Sequence, residues 1–162
     1  MYKRILLATD GSRESLVALR EGALLAQAYE AAVFLLVIDR ETPGMRVSDA
    51  VSPLPRSEEP ARLLGLGLAR LSALGVRASG EVAFGEPALA IGAYARKFAA
   101  DLVVVGHRRQ GLLDRWWSGA SGAYLVETVK CSVLVARNVI SDEEFDAQIA
   151  EGAKARSATE LS

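Results

Sequence analysis

Two segments of this 162-residue chain place glycine, hydroxyl, carboxylate and guanidinium groups at spacings suited to ligand chemistry. The first is Thr9-Asp10-Gly11-Ser12, directly after the apolar run Ile5-Leu6-Leu7-Ala8. A carboxylate at Asp10 can accept hydrogen bonds from a ribose hydroxyl or an adenine amine, or help hold a cation. Asp10 and Ser12 can equally cap the helix that follows, and the two roles are compatible. The second is Gly106-His107-Arg108-Arg109-Gln110-Gly111, after Leu102-Val103-Val104-Val105, with Ser118-Gly119-Ala120-Ser121-Gly122 a few residues on. Glycines let backbone N–H groups close on a phosphate, and Arg108, Arg109 and Arg115 bring positive charge beside them.

Other assignments of these residues fail on spacing. Gly106-x-x-x-x-Gly111 is followed by Leu112-Leu113 where a Walker A loop needs Lys and Ser or Thr. Gly65-x-Gly67 falls inside a helical pattern with no strand before it. Gly119-Ala120-Ser121-Gly122 is one residue short of a nucleophile elbow, and His107 is the only histidine that could act as its base. With Cys131 the only cysteine, neither an internal disulfide nor a structural zinc site is available. Cys131 reads as a small hydrophobe beside a strand, His107 as a solvated loop residue, and Trp116-Trp117 as packing residues rather than base-stacking ones.

The elements that must position these groups follow from the hydrophobic pattern. Continuous apolar blocks at 3–9, 33–38, 102–105 and 132–136 read as strands buried on both faces, and 76–84 as a weaker alternating strand. Helical spacing is expected from Ser12 to about Tyr29, over 58–74 with Gly75 as its stop, from Pro87 to about Ala99, and over 118–129. The order β-α-β-α-β-α-β-α-β predicts an α/β fold: a single doubly wound, Rossmann-like five-stranded parallel sheet of order 3-2-1-4-5 with helices on both faces. In such sheets ligands bind beyond the carboxyl ends of the strands where strand order reverses, and that places Asp10 and Gly106 together. Residues 40–60 carry Pro43, Pro53, Pro55 and Pro60 with no apolar period, the pattern of a mobile lid loop.

Composition narrows the partners. A hydrophobic share of 51% spread in short blocks contains no run near the roughly 20 residues that span a bilayer. The N-terminal apolar stretch is too short for a signal peptide, so a cytoplasmic location is expected. Net charge is −1, without the basic stripe that phosphate-backbone binding needs, so neither nucleic acid nor membrane is expected as a partner. Residues 138–162 form an acidic extension, expected to be partly helical or disordered. Ser141-Asp142-Glu143-Glu144 is a capping-box signature there, with Phe145 and Ile149 as the only apolar anchors after it; a loose solvated helix and a helix docked on a partner subunit both fit.

Several pieces in fixed order resemble the universal stress protein family. Residues 1–12 are similar to its opening strand and turn, and Leu35-Leu36-Val37-Ile38-Asp39 to its second strand. Gly85-Glu86-Pro87 is similar to its third turn, and Cys131-Ser132-Val133-Leu134-Val135 to its closing strand, with Ser132 where proline is usual. The resemblance covers residues 1–137 and implies a regulatory or stress-response module. It implies ATP or AMP as ligand, with magnesium accompanying a triphosphate, and a homodimer paired through Val133–Ala136. Members that bind nucleotide carry G-x2-G-x9-G-[S/T] after the fourth strand. This chain offers Gly106, then Arg109 in place of the second glycine, then Gly119, then Ala120 in place of the hydroxyl residue, with Ser121 next to it. Asp10 and Val37 match positions that meet adenine and ribose in those members. The resemblance thus implies an intact nucleoside half and an altered phosphate half. Two alternatives stay open: a signalling dimer whose pocket is empty because Arg109 fills the phosphate space, and a slow ATP hydrolase or adenylyl- or phosphotransfer enzyme.

Overall fold

The structure, a computed structural model, describes residues 1–39, 58–106 and 125–160. Five strands form one parallel sheet: β1 Arg4–Thr9, β2 Ala32–Asp39, β3 Ala78–Phe84, β4 Leu102–Gly106 and β5 Ser132–Ala136, in the order β3-β2-β1-β4-β5. This is the expected order, with its reversal between β1 and β4. Five helices are described: α1 Arg13–Ala28, α2 Glu59–Ala73, α3 Pro87–Phe98, α4 Leu125–Thr128 and α5 Asp142–Glu160. The expected lid over 40–60 lies outside the described residues except for its last three, where Glu58 precedes α2 and Pro60 falls in its first turn. Residues 118–124 of the expected 118–129 helix also lie outside them, and α4 is the part that is seen.

Alternation along the strands sorts the core into two layers. Ile5, Leu7, Val33, Leu35 and Val104 face α1 and α2, packing on Leu19, Ala23, Ala26 and Leu71. Leu6, Ala8, Leu36, Ile38, Val103 and Val105 face the other way, onto Ile91 and Ala95 of α3 and Leu125 of α4. Strands β1 and β4 are apolar on both faces because both faces are covered. At the base of the sheet the Asp101 carboxylate accepts the backbone N–H groups of Lys3 at 2.8 Å and Arg4 at 3.1 Å, tying the start of β1 to the start of β4. With Ala8 opposite Val105, this tie delivers the far ends of both strands to one level.

The acidic extension is more ordered than its composition suggests. Ser141 Oγ accepts the Glu144 N–H at 3.1 Å and Glu144 Oε2 accepts the Ser141 N–H at 2.8 Å, the reciprocal pair that starts α5. Phe145 is 3% exposed and joins the α1/α2 layer, with Ile140 and Ile149 beside it. Two guanidiniums lie over its ring, Arg20 of α1 at 5.7 Å and Arg70 of α2 at 5.4 Å. The same arginines pair with Asp142 and Asp146. The anchor of α5 is therefore a groove on this chain itself, which neither expectation for the tail included. Among the described residues no helix is long and apolar enough to cross a membrane.

Candidate functional site

The site is built where β1 and β4 end. Thr9 is the last residue of β1 and stands opposite Val37 of β2 in register, so the Asp10 turn and Val37 lie side by side at the top of the sheet. Val37 is buried, and Gly106 ends β4 on the far side of β1. The reversal of strand order thus puts the Asp10 turn and Gly106 at the ends of neighbouring strands, with Val37 across β1 from Gly106. Arg108, Arg109, Gly119, Ala120 and Ser121 lie outside the described residues, as do His107, Trp116 and Trp117.

The turn is held by a dense local network. Gly11 has φ +78°, a conformation that costs a residue with a Cβ about 1–2 kcal/mol, and a Cβ there would also meet Leu63 Cδ1 of α2 at 2.7 Å. Asp10 Oδ1 accepts the Ser12 N–H at 3.0 Å, and Ser12 Oγ accepts the Ser15 N–H at 3.3 Å as the cap of α1. Asp10 is thus engaged in shaping the turn, which fixes the direction of its carboxylate.

Two residues complete the site: Thr9, which the sequence reading included in the turn without a role of its own, and Ser15, which it did not name. Thr9 is fully buried and Ser15 is 5% exposed; their hydroxyl oxygens are 2.5 Å apart. Thr9 Oγ1 also accepts the Gly11 N–H at 3.0 Å, and Ser15 Oγ donates to the Ser12 carbonyl at 3.2 Å. The available signal was a threonine closing the buried apolar run Ile5–Ala8, with a serine in the first turn of the next helix. Gly106 presses on the same point: a Cβ there would stand 2.7 Å from Ser15 Cα and 3.0 Å from Ser15 Cβ. Only glycine lets the end of β4 approach α1 so closely.

Outside this cluster, perturbed titrations have local structural causes. The Tyr94 hydroxyl donates to Glu81 Oε2 at 2.7 Å, which raises the tyrosine and lowers the carboxyl; Lys97 at 3.0 Å adds to the latter. Burial pushes the Cys131 thiol up, helped by the Asp101 charge, so the thiol is not activated as a nucleophile. Neither group belongs to the Asp10 cluster.

What such a site can do is offer a fixed carboxylate, a helix N-terminus and a glycine-tight strand end at the reversal point of an open parallel sheet, which suits a polar, partly anionic ligand. Known proteins share the fold. Residues 1–137 match the profile of the universal stress protein family. A universal stress protein of Methanocaldococcus jannaschii is 28% identical over 142 residues, covering 85% of this chain and 83% of the relative. The solved structure of a universal stress protein in complex with cAMP aligns with a TM-score of 0.62 at 22% identity, over 86% of this chain and 98% of that one. The universal stress protein from Archaeoglobus fulgidus in complex with dAMP aligns with a TM-score of 0.59 at 19% identity, over 84% and 98%. Identity this low speaks for the fold alone, whereas the family profile runs from Met1 through β5 and takes in both halves of the site; on that match the chain belongs to the universal stress protein family.

Proposed function

We propose that this chain is a cytoplasmic stress-response module that binds an adenine nucleotide at the ends of β1 and β4 and acts as a homodimer rather than as an enzyme. The observation that carries the reading is the placement of the Asp10 turn and Gly106 at the strand-order reversal, with Val37 beside Thr9 on the neighbouring strand, on a turn held by Gly11, Ser12 and Ser15. Family members with cAMP and with dAMP bound support adenine nucleotide as the ligand class. In this reading Asp10 and Val37 receive the nucleoside. Gly106, Arg108, Arg109, Gly119, Ala120 and Ser121 receive the phosphate, with magnesium accompanying a triphosphate.

The phosphate half decides which nucleotide binds best. Replacing a phosphate-binding hydroxyl by Ala120 removes about 1.5–3 kcal/mol, which Ser118 or Ser121 can partly restore. Where a phosphate loop needs a left-handed turn, a non-glycine such as Arg109 costs about 1–2 kcal/mol, offset where its guanidinium pairs with phosphate. AMP and cAMP, which need fewer phosphate contacts, lose less than ATP. Dimerisation through β5 would cover an edge strand whose Val133, Leu134 and Val135 are half-buried in the isolated chain. The test is calorimetric titration with ATP, AMP and cAMP, preceded by chromatography of nucleotide released from freshly purified protein. No heat and no released nucleotide would favour the signalling dimer with an empty pocket.

A further inference from the structure

We infer that the buried hydroxyls of Thr9 and Ser15 are positioning residues that hold the two halves of the site in register, an inference that rests on the nucleotide-binding reading above. Among the described residues, these are the two buried polar ones, and both sit at the reversal of strand order. A valine would suit the end of a buried strand better, since an uncompensated hydroxyl in an apolar core is unfavourable. The hydroxyls therefore supply something apolar packing cannot.

What they supply is direction. A hydroxyl carries one proton, and that of Ser15 goes to the Ser12 carbonyl at 3.2 Å. Either oxygen can donate across the 2.5 Å contact; with the Ser15 proton on the Ser12 carbonyl the donor there is Thr9, whose Oγ1 accepts the Gly11 N–H at 3.0 Å. The chain runs one way, from the Gly11 amide through Thr9 and Ser15 to the Ser12 carbonyl, and each proton has one destination. It turns the Gly11 N–H inward and leaves the Ser12 N–H for Asp10 Oδ1 at 3.0 Å, so the carboxylate is aimed by the peptide that Thr9 and Ser15 hold. Ser15 is also the surface against which Gly106 rests, 2.7 Å from a Cβ built there. The hydroxyl pair thus fixes Ser15 on the end of β1, and the Cα and Cβ of Ser15 are what Gly106 at the exit of β4 rests against.

Three variants separate this role from simple packing. Thr9→Val keeps the shape and removes the hydroxyl, Ser15→Ala breaks the chain from the helix side, and Thr9→Ser keeps the hydroxyl and removes a methyl. Each is measured for cAMP affinity by calorimetry and, without nucleotide, for exchange of the Gly11 amide by NMR. The expected result is that Thr9→Val and Ser15→Ala each weaken cAMP binding about tenfold and accelerate Gly11 exchange, while Thr9→Ser retains wild-type values in both. Wild-type affinity in Thr9→Val and Ser15→Ala, or a loss in Thr9→Ser equal to that in Thr9→Val, overturns the inference. A poorly folded Thr9→Val leaves Ser15→Ala to decide. If the wild-type protein binds none of cAMP, AMP and ATP, the nucleotide reading fails. The exchange data then rule alone: faster Gly11 exchange in Ser15→Ala with wild-type exchange in Thr9→Ser supports positioning, and unchanged exchange in Ser15→Ala overturns it.

Discussion

Gly106 ends β4 against the first turn of α1, so close to Ser15 that a Cβ at position 106 would come within 2.7 Å of Ser15 Cα. The atom in the way is backbone, which cannot rotate aside. Gly106→Ala should therefore push β4 and α1 apart and destabilise the fold by about 1–3 kcal/mol. Urea denaturation measures this directly. A variant as stable as wild type would mean that the helix yields freely and that the contact does not fix the site.

Gly11→Ala meets two obstacles, its φ of +78° and Leu63 Cδ1 at 2.7 Å from the added Cβ. The leucine end is flexible, so most of the expected loss, about 1–2 kcal/mol, comes from the backbone. Gly11→Asn, which tolerates the left-handed region better, should lose less than Gly11→Ala; the reverse order in denaturation midpoints would place the penalty in packing against α2 instead.

The fold was legible in the sequence where one face or both are paid attention to by the apolar pattern. Ile5–Ala8 and Leu102–Val105 are unbroken because both faces of the sheet are covered, and a strand covered on both sides needs no periodicity to be recognised. Asp10 and Gly106 were legible because each follows such a run. Thr9 and Ser15 were not, since their significance lies in a hydrogen bond between two elements, and one threonine at a strand end has many local explanations. Phe145 was harder still. Its partners Arg20 and Arg70 lie on two different helices far away in the chain, and α5 has no apolar stripe that would announce a docked face.

Docking of α5 should contribute measurably to stability. Phe145 is 3% exposed beneath two guanidiniums, so Phe145→Ala removes its packing and leaves both cations without their ring. A loss of about 3 kcal/mol is expected, compared by urea denaturation with a substitution at exposed Gln148 as control. A loss no greater than the control would mean that α5 rests on the domain without holding it.

The same docking should be acid-sensitive. Arg20, and next Arg70, holds the Asp142 carboxyl below its ordinary range, and the Ser141 backbone N–H does the same for Glu144. A carboxyl lowered on folding stabilises the folded state above its unfolded pKa, about 3.9 for Asp and 4.3 for Glu, and that contribution is lost as pH falls through the folded value. Thermal midpoints of wild type and Asp142→Asn should differ above about pH 5 and converge as pH drops below about 4. A gap that widens on acidification would reverse the sign and contradict the pairing.

Nucleotide binding is the central claim, and calorimetric titration of the full chain with cAMP, AMP and ATP at matched ionic strength tests it most directly. Saturable binding of cAMP and AMP, weaker binding of ATP, and loss of all three in Asp10→Ala with the fold retained are expected. Absence of heat for every nucleotide with the wild-type protein, or affinities unchanged by Asp10→Ala, would contradict it.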